Sequence, residues 1–338
     1  MASPDASGTP ARSGRAQSHG PHYVGRFAPS PTGPLHFGSL VTALASYVDA
    51  RAAGGRWLLR IEDVDRTRCS LAAEREIIAQ LAGYGFEHDG EVVRQSERDA
   101  LYLDALSRLQ HAALIYACQC TRKQLADQPR NADGETIYPG TCRDAQLPIA
   151  PLAEAAPRAT RAASPLALRL HVNDAGSPAA HIRWSDRCFG EQQQDVATEV
   201  GDFVLRRADS LFAYQLAVVV DDAAQGITDV VRGADLLGNT ARQIVLQQRL
   251  GLPRPHYLHV PLVRNEDGQK MSKQTRAAPI HIDSALATLH AAWQFLGQAP
   301  VLGVARISDF WRAAIASWSA NAVLPRMGDA RRHAVAFG

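Results

Sequence analysis

An apolar run from Tyr23 to Ala28 stops at Pro29, and Pro29-Ser-Pro-Thr-Gly-Pro34 then rules out any regular element. Proline fixes φ and removes a donor, while glycine opens conformations closed to other residues. Past this turn the periodicity changes. Leu40, Ala43, Leu44, Tyr47 and Val48 fall on one helical face, and Gly54-Gly55 closes the helix. Trp57–Ile61 is apolar at nearly every position, as in a strand covered on both faces. Ser70 caps a predicted helix running to about Ala82, and Leu101–Tyr116 reads as another amphipathic helix. This alternation predicts an α/β fold built on a right-handed parallel unit. Such sheets bind ligands beyond the carboxyl ends of their strands, so the Pro29–Ser39 loop and Glu62 belong to the predicted site edge.

From Cys118 to about Pro165 the periodicity is lost, which predicts an inserted subdomain. Strands are then expected over Leu166–Val172, His181–Trp184 and Phe203–Arg206, with Tyr214–Val220 open to helix or strand. Asp229–Arg232 ends a strand, Asn239–Leu250 is a helix closed by Gly251, and His256–Val263 is a strand. The Ala-rich remainder from Pro279 is helical. The expected organisation is a flexible tail over 1–22, halves of a catalytic domain over 23–117 and 166–263, the insertion over 118–165, and a loop with a helical stem over 264–338.

Composition narrows the class. Hydrophobic residues at 46% and charged residues at 21% suit a packed core, which excludes a mostly disordered chain. The most apolar stretch, Leu211–Val220, is too short for a bilayer, which takes about 20 residues. A net charge of +2 announces no nucleic-acid partner. An odd count of 5 cysteines argues against a disulfide scaffold and for a reducing, cytoplasmic setting. Met1–His22 lacks the apolar core of a signal peptide.

Two constellations carry chemistry. In Arg26-Phe-Ala-Pro-Ser-Pro-Thr-Gly-Pro-Leu-His36-Phe-Gly38-Ser39, Gly33 and Gly38 let backbone approach a ligand, and His36 opens a helix whose free N–H groups favour phosphate. Taken alone, His36 reads equally as a capping residue. Lys270-Met-Ser-Lys273, after a polar loop, suits a transient polyanion; a solvated basic turn is the plainer alternative. Within the insertion, Cys118, Cys120 and Cys142 form a thiol set suited to structural Zn²⁺ with one further ligand, or three buried free thiols. Cys69 and Cys188 stand apart.

The ordered set of motifs resembles the glutamyl branch of the class I aminoacyl-tRNA synthetases, over about Tyr23 to Gln274. It comprises the Arg26 loop with His36-Phe-Gly-Ser39, Arg60-Ile-Glu62-Asp63, Val219-Val220-Asp221-Asp222, Val231-Arg232-Gly233-Ala234-Asp235 and Lys270-Met-Ser-Lys273. The family's first motif often ends in histidine where this chain has Ser39, a variation that the glutamyl branch tolerates. The resemblance implies a Rossmann-like catalytic domain with a zinc-containing insertion and a short helical stem. The chain reaches Gly338 soon after Lys273, so no anticodon-binding domain is expected, as in the truncated paralogues that glutamylate queuosine in tRNA(Asp).

That resemblance further implies ATP-dependent activation of L-glutamate, with Mg²⁺ accompanying ATP, and transfer to queuosine-containing tRNA(Asp) by a monomer. His36, Lys273 and Lys270 would stabilise the reacting phosphates, and Gly38 and Ser39 would join His36 and Lys273 around ATP. Arg26, Phe27, Ala28, Pro29, Ser30, Glu62, Tyr214 and Arg232 would hold glutamate, with Glu62 on its ammonium and the arginines on its carboxylates. Tyr138 would be the fourth zinc ligand. Without the resemblance, Arg232 reads as a strand-end arginine and Tyr214 as a core aromatic. Asp63 faces away from Glu62, because adjacent strand residues alternate. Arg306, Arg312, Arg326, Arg331 and Arg332 fit either RNA phosphate or a solvated helix face. A non-catalytic RNA-binding paralogue and an enzyme delivering an activated amino acid to another acceptor are the competing classes.

Overall fold

The first strand, β1 (Val24–Phe27), enters a computed structural model that describes residues 23–149, 152, 166–172, 179–264 and 278–325. The expected tail, part of the insertion, Lys270, Lys273, Arg326, Arg331 and Arg332 lie outside the described residues. After β1 come α1 (Phe37–Ala52), β2 (Arg56–Ile61), α2 (Leu71–Gly83) and β3 (Val93–Arg94), and the three strands lie side by side in parallel. Ser70 caps α2 as expected, its side chain accepting from Ala73 N–H.

The expected helix over 101–116 is corrected. α3 (Asp99–His111) stops early, Ala113 takes φ 55°, and β4 (Ile115–Cys118) begins. Ile115 and Ala117 are buried as β4 pairs antiparallel with β5 (Ala167–Leu170). A hairpin of β6 (His181–Asp186) and β7 (Gly190–Asp195) follows, then α4 (Val196–Glu199) and β8 (Val204–Arg206), which pairs with β5. The ambiguous Tyr214–Val220 run is part of a helix, α5 (Tyr214–Ala224), so burial among neighbouring helices overrides the strand preference of its valines. β9 (Asp229–Gly233), α6 (Thr240–Leu250) and β10 (His256–Val260) complete a second sheet, in the order β7-β6-β10-β9, parallel except for the β6–β7 hairpin. Gly251 closes α6 with φ 64°, a left-handed cap that favours glycine.

β9 lies against β1: Thr228 N–H donates to the Val24 carbonyl at 2.9 Å, and Val24 N–H to Thr228 Oγ1 at 2.9 Å. The carboxyl ends of β1, β2 and β9 therefore open on one edge. The stem helices α7 (Ala285–Phe295) and α8 (Ile307–Ser317) pack on α1. Tyr47, Trp57, Phe86 and Trp311 form one aromatic cluster there, with ring centres 4.8–5.6 Å apart. Among the described residues no helix is long and apolar enough to cross a membrane.

Candidate active site and metal centre

A cavity of about 540 Å³ lies at the strand ends and is lined by Arg26, Phe27, Ala28 and Ser30 from the first loop, Glu62, Tyr214 and Arg232. A second cavity of about 360 Å³ shares Phe27, Ala28, Ser30, Thr42, Gly233 and Leu236 with it, and adds Pro29, His36, Gly38 and Ser39. The two form a continuous trough. The expected glutamate set and the expected His36–Ser39 set therefore meet side by side. Asp63 turns away from Glu62, although both lie past the end of β2 rather than in it, and accepts from Ser96 N–H and Oγ–H at 2.8 and 2.5 Å.

The buried charges beneath the first cavity are unequal. Arg26 donates to both oxygens of Asp222, through Nε at 3.1 Å and Nη2 at 3.4 Å. Arg60, fully buried, reaches the same carboxylate at 2.8 Å and Glu62 at 3.2 Å. Burial works against ionisation of Asp222, but Arg26 and Arg60 outweigh it and hold its pKa below the ordinary value. Glu62 goes the other way: burial lifts it above its ordinary 4.5 despite Arg60 and Arg26. Burial and the nearby Glu62 charge raise the Tyr214 phenol. Arg232 has no carboxylate partner among the described residues. Its donors go to His259 Nε2 at 2.9 Å, Gln243 Oε1 at 2.7 Å, Thr240 Oγ1 at 2.9 Å and the Leu236 carbonyl at 3.3 Å. At the cavity mouth Asp65 pairs with Arg68 and Arg207, at 2.9 and 3.3 Å. Below that rim, three guanidiniums thus face two carboxylates, and the surplus positive charge sits on Arg232.

Sequence reasoning named Arg60 and Asp222 only as motif residues without a role, and gave none to His259. Glu62 directly follows β2, two positions after Arg60, and Tyr214 and Asp222 are about two turns apart on one helix. Both periods place those pairs on a common face.

In the second cavity, His36 is both a cap and a wall. Its Nδ1 accepts from Ser39 N–H at 3.3 Å, which puts the proton of the neutral ring on Nε2. A Cβ on Gly38 would stand 3.1 Å from His36 Cε1, so glycine keeps that ring in place. The chain leaves the described residues at Arg264, after Pro261, Leu262 and Val263 wall this cavity. It returns where Ile280 N–H donates to the Leu35 carbonyl at 3.0 Å and Pro279 bridges His36.

The insertion gathers Cys118, Cys120 and Cys142, whose sulfurs lie within 4.8 Å of one another. Tyr138, only 4% exposed, brings its hydroxyl to 3.4 Å from Cys118 Sγ and 3.7 Å from Cys120 Sγ, and accepts from Cys142 N–H at 2.9 Å. The Arg169 guanidinium stacks on its ring at 3.7 Å. The three sulfurs form a cluster that could hold a metal ion, with the Tyr138 hydroxyl beside it. Cys69 and Cys188 stand outside it, as expected. In the stem, Arg306 and Arg312 pair with Asp309 at 3.0 and 3.4 Å on an exposed face.

A parallel sheet with this trough at its carboxyl edge matches the family model of the catalytic domain of class I tRNA synthetases (E and Q) over residues 23–303, and the chain belongs to that family of ligases. The chain is 56% identical over 277 residues to the glutamyl-Q tRNA(Asp) synthetase of Thiobacillus denitrificans, covering 82% of this chain and 86% of that protein. It is 52% identical over 305 residues to the protein of the same name from Leptothrix cholodnii, covering 88% and 97%. Among solved structures, the glutamate-tRNA synthetase of Elizabethkingia anophelis superposes with a TM-score of 0.71 at 24% identity, over 91% of this chain and 68% of that one, which establishes the shared fold.

Proposed function

We propose that this chain activates L-glutamate with ATP and transfers the glutamyl group to the queuosine of tRNA(Asp), the substrate in the names of its relatives. The charge balance of the first cavity carries this reading. Three guanidiniums against two carboxylates suit a ligand with two carboxylates and one ammonium, whose net charge is −1. Glu62 meets the ammonium, Arg26 the α-carboxylate region beside the nucleotide cavity, and Arg232 the side-chain carboxylate. Tyr214 and the Phe27–Ser30 backbone wall the substrate.

In the first step the α-carboxylate attacks the α-phosphorus of ATP, which enters with Mg²⁺ on its phosphates. Pyrophosphate leaves and glutamyl-adenylate remains. The trough fixes the two reactants side by side, and the developing phosphate charge meets the α1 N-terminus with His36, Gly38 and Ser39. Lys273 and Lys270 complete that stabilisation in this reading. In the second step a hydroxyl of the queuosine cyclopentene diol attacks the activated carbonyl and AMP departs. Cys118, Cys120, Cys142 and Tyr138 would hold one structural Zn²⁺, and the protein would act as a cytoplasmic monomer.

Transfer of labelled glutamate to tRNA from cells with and without queuosine tests the reading. Label appearing only on queuosine-containing tRNA(Asp), and lost when periodate first cleaves the diol, is expected. Adenylate formation without transfer to either RNA overturns the acceptor, and charging of unmodified tRNA at its 3′ end overturns the site of transfer.

A further inference from the structure

Arg232 is a cation buried to 4% exposure whose neighbours are all neutral, and the manner of its support is informative. An arginine only donates, so His259 Nε2 must accept its Nε–H. The single proton of a neutral His259 ring then sits on Nδ1, which is 2.6 Å from Asp186 Oδ2. Asp186 is immobilised in turn. Its carboxylate also accepts from the backbone N–H groups of Cys188 at 3.0 Å, Phe189 at 2.9 Å and His259 at 3.1 Å. Register makes the contact possible, since Arg232 on β9 is the direct partner of His259 on β10. The imidazole is fully buried and lines neither cavity of the trough.

A carboxylate in place of His259 would orient Arg232 equally well but would neutralise it. An imidazole fixed by Asp186 orients the guanidinium while holding that carboxylate one ring away, so the direct ion-pair position stays open to the ligand. We propose that His259, held in the Nδ1–H form by Asp186, is a positioning residue that keeps Arg232 aligned without a direct carboxylate partner, and thereby makes the site select an anionic side chain over its neutral amide. The proposal rests on the glutamate reading above and adds the residues that enforce it.

ATP–pyrophosphate exchange with glutamate and with glutamine tests it in His259→Leu, Asp186→Asn and His259→Gln. Asp186→Asn keeps the shape but can offer N–H to Nδ1, which favours the tautomer that opposes Arg232 Nε–H. His259→Gln retains an acceptor near the Nε2 position. In the first two variants the KM for glutamate is expected to rise about tenfold or more, from loss of a buried charge-assisted bond. The preference for glutamate over glutamine falls in parallel, while kcat and the KM for ATP stay near wild type. His259→Gln restores most of the glutamate KM. An unchanged glutamate KM in both disrupting variants overturns the proposal. So does a joint rise in both KM values, which marks a merely structural role. A wild-type chain without glutamate-dependent exchange overturns the functional reading instead.

Discussion

Two buried polar clusters sit at opposite edges of the parallel sheet, and they differ in how their charges close. At the amino-terminal edge Asp49 accepts from Tyr23 Oη at 2.5 Å, from both terminal nitrogens of Arg187 at 2.6 and 2.8 Å, and from Trp318 Nε1 at 2.7 Å. Asp229 has His256 at 3.5 Å. The opening there has a volume of about 610 Å³, and each carboxylate is answered by a protein donor. At the carboxyl-terminal edge Asp222 is likewise answered, by Arg26 and Arg60, but Arg232 is left over. The first cluster is saturated, whereas the second leaves one guanidinium without a direct carboxylate partner.

The strongest way to break this contrast is Arg232→Leu. Loss of the cation that faces a desolvated carboxylate is expected to lower kcat/KM for glutamate about 10³-fold, with little change in the unfolding midpoint, because no carboxylate is orphaned. Asp49→Ala should do the reverse. It strands the Arg187, Tyr23 and Trp318 donors and costs about 3 kcal/mol in urea unfolding, while the folded fraction keeps its exchange activity.

A third, smaller effect concerns the metal knot, which lies away from both clusters. Chelation under reducing conditions should release one Zn²⁺ per chain and lower the unfolding midpoint by about 5 °C, with glutamate exchange changed less than about threefold. The smallest effect is in acid. Because burial raises Glu62, the folded chain takes up this proton before the unfolded one does. Its contribution to stability is therefore present at low pH and is lost as pH rises through the raised value, whereas the ammonium site needs the charged form. The KM for glutamate should thus climb on acidification from a limb above the ordinary 4.5, a limb absent from Glu62→Gln.

The readable parts of this chain were those that local rules decide. Proline and glycine at 29–34 marked the loop, Ser70 its cap, and the continuous apolar run of β2 its place inside a parallel sheet. The glutamate and His36 sets converged as expected because both lie at strand ends. Of the three antiparallel strands, β5 and β8 were legible and β4 was not, since its partner β5 lies beyond the whole insertion. Asp222 was visible as a motif residue, but its work depends on Arg26 and Arg60, 196 residues away in the first case. His259 gave no signal, since a lone buried histidine in a strand acquires meaning only through its neighbours across the sheet.

The bond from Trp318 to Asp49 spans 269 positions of sequence. A ribosome adding roughly 5–20 residues per second takes on the order of 10–60 s to cover that distance. For that interval the first strands and α1 are already outside the exit tunnel, and the hub that fastens them is missing one of its donors. The nascent sheet therefore has a built-in delay before it can lock, and during it the apolar face of α1 that α7 and α8 later cover is open to chaperones.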